Sequence, residues 1–216
     1  MMGNDPGPLD DGRLDRVACA SLVDAMGRIH GHRAHILSLV SPAPRRLFGP
    51  VATMAYLPYR DDVPHPEFGD LYAQAMSNRP AGTVLVLSSG GYPDASHGGG
   101  TKLSRLEHTG AAGILTDGRL RDFDQLADYR FATWCRGEAT RAGGETAMPL
   151  AANVPVEVGG VGVVPGDYVY ADASGAVVIP NGSLERVLAE ALKVEAEDAG
   201  FAAEIAAEER ASTPKP

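Results

Sequence analysis

In the stretch 97–122, HGGGTKLSRLEHTGAAGILTDGRLRD, three glycines stand shortly before a lysine and the run ends on an arginine–aspartate pair. Glycines that open a helix suit anion chemistry: with no Cβ a ligand comes close, and the first helix amides face it with the positive end of the helix dipole behind them. Gly98, Gly99 and Gly100 would give that access, while Thr101, Lys102 and Leu103 would supply amides and Lys102 an added charge. Spacing argues against both familiar nucleotide cradles. A P-loop places lysine directly after its last glycine, whereas Thr101 separates Gly100 from Lys102, and the dinucleotide fingerprint needs a glycine where Leu103 stands. A carboxylate or phosphate site remains, beside the plain alternative of a turn that needs glycine only for positive φ.

The loop TDGRLRD brings Asp117, Arg119, Arg121 and Asp122 together after an apolar run, where α/β sheets place ligand sites. Arginine grips a carboxylate or carbonyl through its fork of donors, and aspartate suits a hard divalent cation that keeps its waters. The alternative is a surface turn with local ion pairs. His97, just ahead of the glycines, is a further candidate whose orientation stays open. His30, His32 and His35 lie close together without a second ligand cluster, which favours ordinary loop or core histidines. There is no Gly-x-Ser-x-Gly elbow to support a serine hydrolase.

The elements that must hold these residues follow an α/β pattern. Residues 13–27 read as an amphipathic helix closed by Gly27; GPVATMAYLPY as a buried strand; PEFGDLYAQAMSN as a helix; VLVLSS as a strand. After the glycines come a helix ending at Gly110, the strand GILT, the loop, and a helix to about Tyr129. The segment VPVEVGGVGVVPGDYVYADASGAVVIP reads as short strands and tight turns, and Ser183 to Arg210 as a long helix that Gly200 could bend. Its stripe of Leu184, Val187, Leu188, Leu192, Phe201 and Ile205 would pack on its own domain or on a neighbouring subunit. One domain over 13–210 is expected, between tails at 1–12 and 211–216.

The 216 residues carry a net charge of −9, which disfavours direct nucleic-acid binding, and no apolar run is long enough for a membrane span. The polar, acidic start lacks the pattern of a secretory signal, and the two cysteines, Cys19 and Cys135, are in no metal or redox spacing. A cytoplasmic protein with two buried thiols is expected.

Gly100, twenty residues, then Arg121-Asp122, with GAAGILTDGRLRD before the pair and the valine–glycine segment after it, resembles the RraA-like family. That family joins regulators of ribonuclease activity A to class II 4-hydroxy-4-methyl-2-oxoglutarate aldolases, and the likeness runs from about Leu14 to about Ala199. The resemblance implies an α/β fold of the swivelling β/β/α type, with a central mixed sheet and a long C-terminal helix. It further implies a homotrimer or homohexamer with its site near a subunit boundary. Arg121 would contact the pyruvyl part of a 2-oxo acid, Asp122 would hold Mg²⁺ or Mn²⁺, and the amides of Thr101, Lys102 and Leu103 would take the carboxylate. Retro-aldol cleavage and oxaloacetate decarboxylation share the pyruvate enolate such a site would stabilise. Two departures stand out: many active relatives have acidic residues where this chain has Gly100 and Gln125, and the second would orient a metal-bound water. Glu195 on the last helix is a candidate for a carboxylate donated across a subunit boundary. The rival activity is a protein-binding regulator of ribonuclease without chemistry. The intact Arg-Asp pair favours the enzyme, because the regulator branch tends to lose that aspartate. The methyltransferase name often attached to the family finds no cofactor-binding glycine motif here.

Overall fold

A computed structural model describes residues 12–212. The helices are α1 (Cys19–Ile29), α2 (Phe68–Met76), α3 (Gly100–Thr109), α4 (Phe123–Asp128) and α5 (Leu184–Ser212). The strands are β1 (His35–Ile36), β2 (Leu47–Pro58), β3 (Val84–Leu87), β4 (Gly113–Thr116), β5 (Ala132–Trp134), β6 (Ala147–Ala152), β7 (Val156–Val158), β8 (Val161–Val163), β9 (Tyr168–Asp172) and β10 (Gly175–Ile179). They build a mixed sheet in the order β1-β10-β9-β2-β3-β4-β5, with β6 also pairing β2 and β7–β8 as a separate hairpin.

The parallel core β2-β3-β4-β5 explains the unbroken apolar runs VLVL and GILT, whose residues are all buried. A parallel sheet covered on both faces needs no polar alternation. Leu85 and Leu87 face α2 and α3 in one cluster, while Val84 and Val86 meet the hairpin valines Val158, Val161 and Val163 in another. In β9, Tyr168 and Tyr170 face α1 and α5 while Val169 and Ala171 face the interior, the period of two a strand requires. Val40 and Cys135 exchange both backbone bonds, at 2.7 and 3.0 Å, which ties the segment after β1 to the segment after β5. One bridge thus links the segments that leave the two edge strands, β1 and β5.

Four sequence expectations change. The helix expected over 13–27 is split into a 3₁₀ turn, Arg13–Arg16, and α1, with Val17 extended between them. The break lets the start of α1 be capped from elsewhere: Ala18 N donates to Ser21 Oγ at 3.1 Å and Cys19 N to Asp172 Oδ2 at 2.8 Å. Gly27 therefore lies inside α1, which closes at His30, and Gly200 does not interrupt α5. Helix α5 also continues to Ser212, past the expected boundary at 210, while the rest of the two tails, 1–11 and 213–216, lies outside the described residues. No described helix is long and apolar enough to cross a membrane. Both cysteines are free and buried, and burial pushes the Cys19 thiol up to about 12 and the Cys135 thiol to about 11.

Candidate active site

The site forms where the chain leaves β3 and β4, adjacent parallel strands whose C-terminal ends lie side by side. Asp117, just past β4, is the joint between these exits. Its Oδ1 accepts from Ser89 N at 2.7 Å, and its Oδ2 accepts from Ser89 Oγ and Gly159 N, both at 3.1 Å. A carboxylate with both oxygens occupied is scaffold, and Asp117 does not line the cleft described below.

Beyond that joint the two exits zip together: Arg119 N donates to Ala95 O at 3.1 Å, His97 N to Arg119 O at 2.9 Å, and Arg121 N to Gly98 O at 2.9 Å. This ribbon sets Arg121 opposite the glycines. The glycine turn then enters α3, with Gly99 as N-cap, and the chain after Arg121 enters α4 with Asp122 as N-cap. Gly98, Gly99 and Gly100 are absent from the positive-φ positions, so the turn explanation fails. Close approach explains Gly99 and Gly100 instead, whereas a Cβ on Gly98 would meet only Leu103 at ordinary contact distance. A Cβ on Gly99 would lie 2.6 Å from Asp122 Oδ2 and 3.3 Å from Arg121 Cβ, and one on Gly100 would lie 2.0 Å from Gln125 Oε1.

Between these walls is a cleft of about 180 Å³, bordered by Gly98, Gly99, Thr101, Lys102, Arg121 and Asp122 and closed by Tyr56 and the segment 142–149, which runs into β6. Arg121 Nε is buried and has no acceptor among the described residues. Asp122 Oδ2 accepts from Gly100 N at 3.0 Å, while no protein partner of Oδ1 is recorded among the described residues. Leu103 N is already committed to Gly99 O at 3.0 Å, so the expected trio of free amides shrinks to Thr101 and Lys102. The Lys102 ammonium lies 5.4 Å from the centre of the Phe68 ring, drawn to its π face rather than added to the amide pair.

His97 borders the cleft but is 3% exposed. Its Nε2 lies 2.9 Å from Ser89 O, which can only accept, so Nε2 carries the proton; Nδ1 is buried without a partner. Burial lowers its pKa, and the His97 backbone carbonyl accepts from Tyr56 Oη at 2.9 Å. Gln125 points at α3: its Nε2 donates to Tyr129 Oη at 2.7 Å. Glu195 caps the start of α1, its Oε1 accepting from Ala18 N at 3.2 Å, and does not border this cleft. His30 Nε2 lies 2.9 Å from Ser183 Oγ. Among the described residues no group of three or more His, Cys, Asp or Glu side chains is disposed to hold a metal.

Two contributors escaped the sequence reading. The segment 142–149 is one; its signal was Gly143, where a Cβ would come 2.3 Å from Ser96 O. The other is Glu138, in a second hollow with Arg121 and Asp122, whose Oε1 accepts from Phe123 N at 2.9 Å at the start of α4.

A family model described as RraA-like, Aldolase/RraA, matches residues 19–178. The chain belongs to the RraA-like family. This RraA-like protein is 35% identical over 125 residues to a Halalkalibacterium halodurans protein named "Putative 4-hydroxy-4-methyl-2-oxoglutarate aldolase", a match covering 58% of this chain and 59% of that relative. It therefore spans about three fifths of the relative's length. A Burkholderia mallei protein of the same name is 33% identical over 141 residues, 65% of this chain and 79% of the relative. Among solved structures, Streptomyces coelicolor RraAS2, described as an unusual member of the RNase ES inhibitor RraA protein family, superposes with a TM-score of 0.78 at 26% identity, over 89% of this chain and 96% of that one.

Proposed function

We propose that this RraA-like protein is a divalent-metal-dependent lyase. It cleaves a C–C bond of a small 2-oxo acid through a pyruvate enolate, as a 4-hydroxy-4-methyl-2-oxoglutarate-type aldolase, an oxaloacetate decarboxylase, or both. The supporting observation is one cleft in which Arg121 and Asp122 face two amides, Thr101 N and Lys102 N, that have no acceptor among the described residues and stand at a helix N-terminus. Helix N-terminal amides and an arginine facing one cleft suit an anionic ligand with two oxygen-bearing ends.

The Thr101 and Lys102 amides hold the carboxylate, aided by the dipole of α3. Arg121 faces the adjacent 2-oxo oxygen and stabilises the negative charge that gathers there as the bond breaks. Asp122 offers Oδ1 to a cation, while Gly100 N fixes Oδ2. Asp122 would hold Mg²⁺ or Mn²⁺, hard cations that one or two carboxylates can bind while waters complete the shell. When bound, the cation supplies Lewis-acid stabilisation of the same developing charge. His97 is not the proton carrier, because Nε2 is committed to Ser89 and Nδ1 lies against Gly118, where a Cβ would come within 2.2 Å. Water is proposed to take the substrate hydroxyl proton as the C–C bond of the hydroxy-oxo acid breaks and to return a proton to the enolate carbon; in decarboxylation CO₂ leaves and only the second transfer is needed. The names of the Halalkalibacterium and Burkholderia relatives support the aldolase reading. By the same family likeness the protein is proposed to act in the cytoplasm as a homotrimer or homohexamer.

The test is pyruvate release from oxaloacetate and from 4-hydroxy-2-oxo acids with Mg²⁺, Mn²⁺ or EDTA. Wild type should turn over with metal and stop with EDTA, and Arg121→Ala or Asp122→Asn should lower kcat/KM by roughly 100-fold or more. Equal inertness of wild type and Asp122→Asn with every metal and substrate would overturn the lyase. It would favour a regulator that binds a ribonuclease, the role that the Streptomyces relative's description gives its family.

A further inference from the structure

Gly100 is gripped from both ends by residues of α4 and its caps. Its N–H is taken by Asp122 Oδ2 at 3.0 Å, and its carbonyl accepts from Tyr129 Oη at 3.1 Å. Tyr129 in turn receives Gln125 Nε2 at 2.7 Å. Donor counting sets the direction of the chain. A carbonyl only accepts, so the phenol spends its single proton on Gly100, and Gln125 must meet the phenol oxygen with N–H rather than C=O. The Gly100 carbonyl and the Thr101 N–H belong to one planar trans peptide and point in opposite directions. The carbonyl points toward Tyr129, and the N–H points toward the N-terminal side of α3, where the cleft lies. A donor on the carbonyl also polarises that peptide and strengthens its N–H as a donor.

We propose that Gln125 and Tyr129 are positioning residues that set the aim and strength of the Thr101 amide as an anion donor. The relay runs from Gln125 Nε2 through Tyr129 Oη and the Gly100 carbonyl to Thr101 N–H; it deepens the carboxylate site proposed above and rests on it. The absence of a side chain at Gly100 is part of the device, since the space a Cβ would fill is occupied by Gln125 Oε1, 2.0 Å away. A glutamate at 125 could not donate. It would draw the phenol proton to itself and leave the Gly100 carbonyl without its partner.

The experiment is ¹⁵N–¹H correlation spectroscopy of the full chain with Mg²⁺, titrated with oxalate, for wild type, Tyr129→Phe, Gln125→Met and Gln125→Glu. In wild type, oxalate should move the Thr101 and Lys102 amide protons downfield. Each variant should shift the free Thr101 amide upfield and weaken oxalate about 5- to 10-fold, the worth of one ordinary hydrogen bond. Lys102 should keep its response, and KM for pyruvate release should rise more than kcat falls. Should Tyr129→Phe fail to fold, both Gln125 variants carry the test, with melting temperature as the control. The relay is overturned if wild-type Thr101 ignores oxalate. It is equally overturned if folded variants bind oxalate within 2-fold of wild type, or lose the Thr101 and Lys102 responses in parallel. Oxalate binding at Thr101 without pyruvate release in any condition sinks the lyase and leaves the relay standing.

Discussion

Asp122 holds a left-handed backbone, φ 62° and ψ 49°, a conformation that aspartate tolerates better than most residues but that still costs free energy. The turn it makes brings its carboxylate within reach of Gly100 N and starts α4 in the same step. His97 performs the opposite service, giving up its titration to the fold. Its pKa lies below the ordinary 6.5 because burial penalises the imidazolium. The unfolded chain therefore takes up the proton first as pH falls, so the stabilisation is complete above about 6.5 and is lost progressively below it. Urea midpoints from pH 8 to pH 5 should fall more steeply for wild type than for His97→Gln, whose amide can still donate to Ser89 O. Parallel curves would show that His97 does not titrate as described. The sequence marked His97, Arg121 and Asp122 alike as candidates. Separating support from chemistry needed the partners, since residue type says nothing of whether an oxygen or nitrogen is already spent.

Most elements near the site were legible: α3 does close at Gly110, which takes the left-handed conformation of a C-cap glycine, and VLVL and GILT are buried parallel strands. The helix expected over 13–27 was misjudged because its cap comes from Asp172, 153 residues away. Gly113 shows how tightly the strand beneath the site is seated. A Cβ there would lie 2.1 Å from Ala132 O and 2.7 Å from Leu47 Cδ1, against backbone as well as side chain. Gly113→Ala should destabilise the protein by about 2–3 kcal/mol, read from the urea midpoint, with pyruvate release falling in proportion to folded protein. An unchanged midpoint would mean that β4 and β5 separate without cost.

On the scale of the molecule, the stripe along α5 changes its task part-way. Leu184, Val187, Leu188, Ala191 and Val194 are buried, while Phe201 and Ile205 are 66% and 44% exposed. The first half packs on α1 and the sheet, and the second reaches beyond the packed core of this chain. The proposed homotrimer or homohexamer predicts a trimeric or hexameric mass by light scattering in solution, and a monomeric mass at micromolar concentration would refute it. Glu195, expected as a carboxylate donated across a subunit boundary, accepts from Ala18 N at the start of α1 within its own chain.

The sequence by itself determined the α/β class, the family, the glycine-to-Arg-Asp spacing and the long last helix, because periodicity, punctuation and ordered motifs are local properties of a chain. Tertiary structure alone decided which groups remain free to bind. Leu103 N is lost to the helix ladder, Asp117 to Ser89 and Gly159, and Gln125 to Tyr129, whereas Thr101 N, Lys102 N and Arg121 Nε have no acceptor among the described residues. A donor's or acceptor's availability depends on every partner the folded chain brings within about 3 Å; helix geometry supplies those of Leu103 and Gln125 four residues away, whereas those of Asp117 come from 28 and 42 residues away.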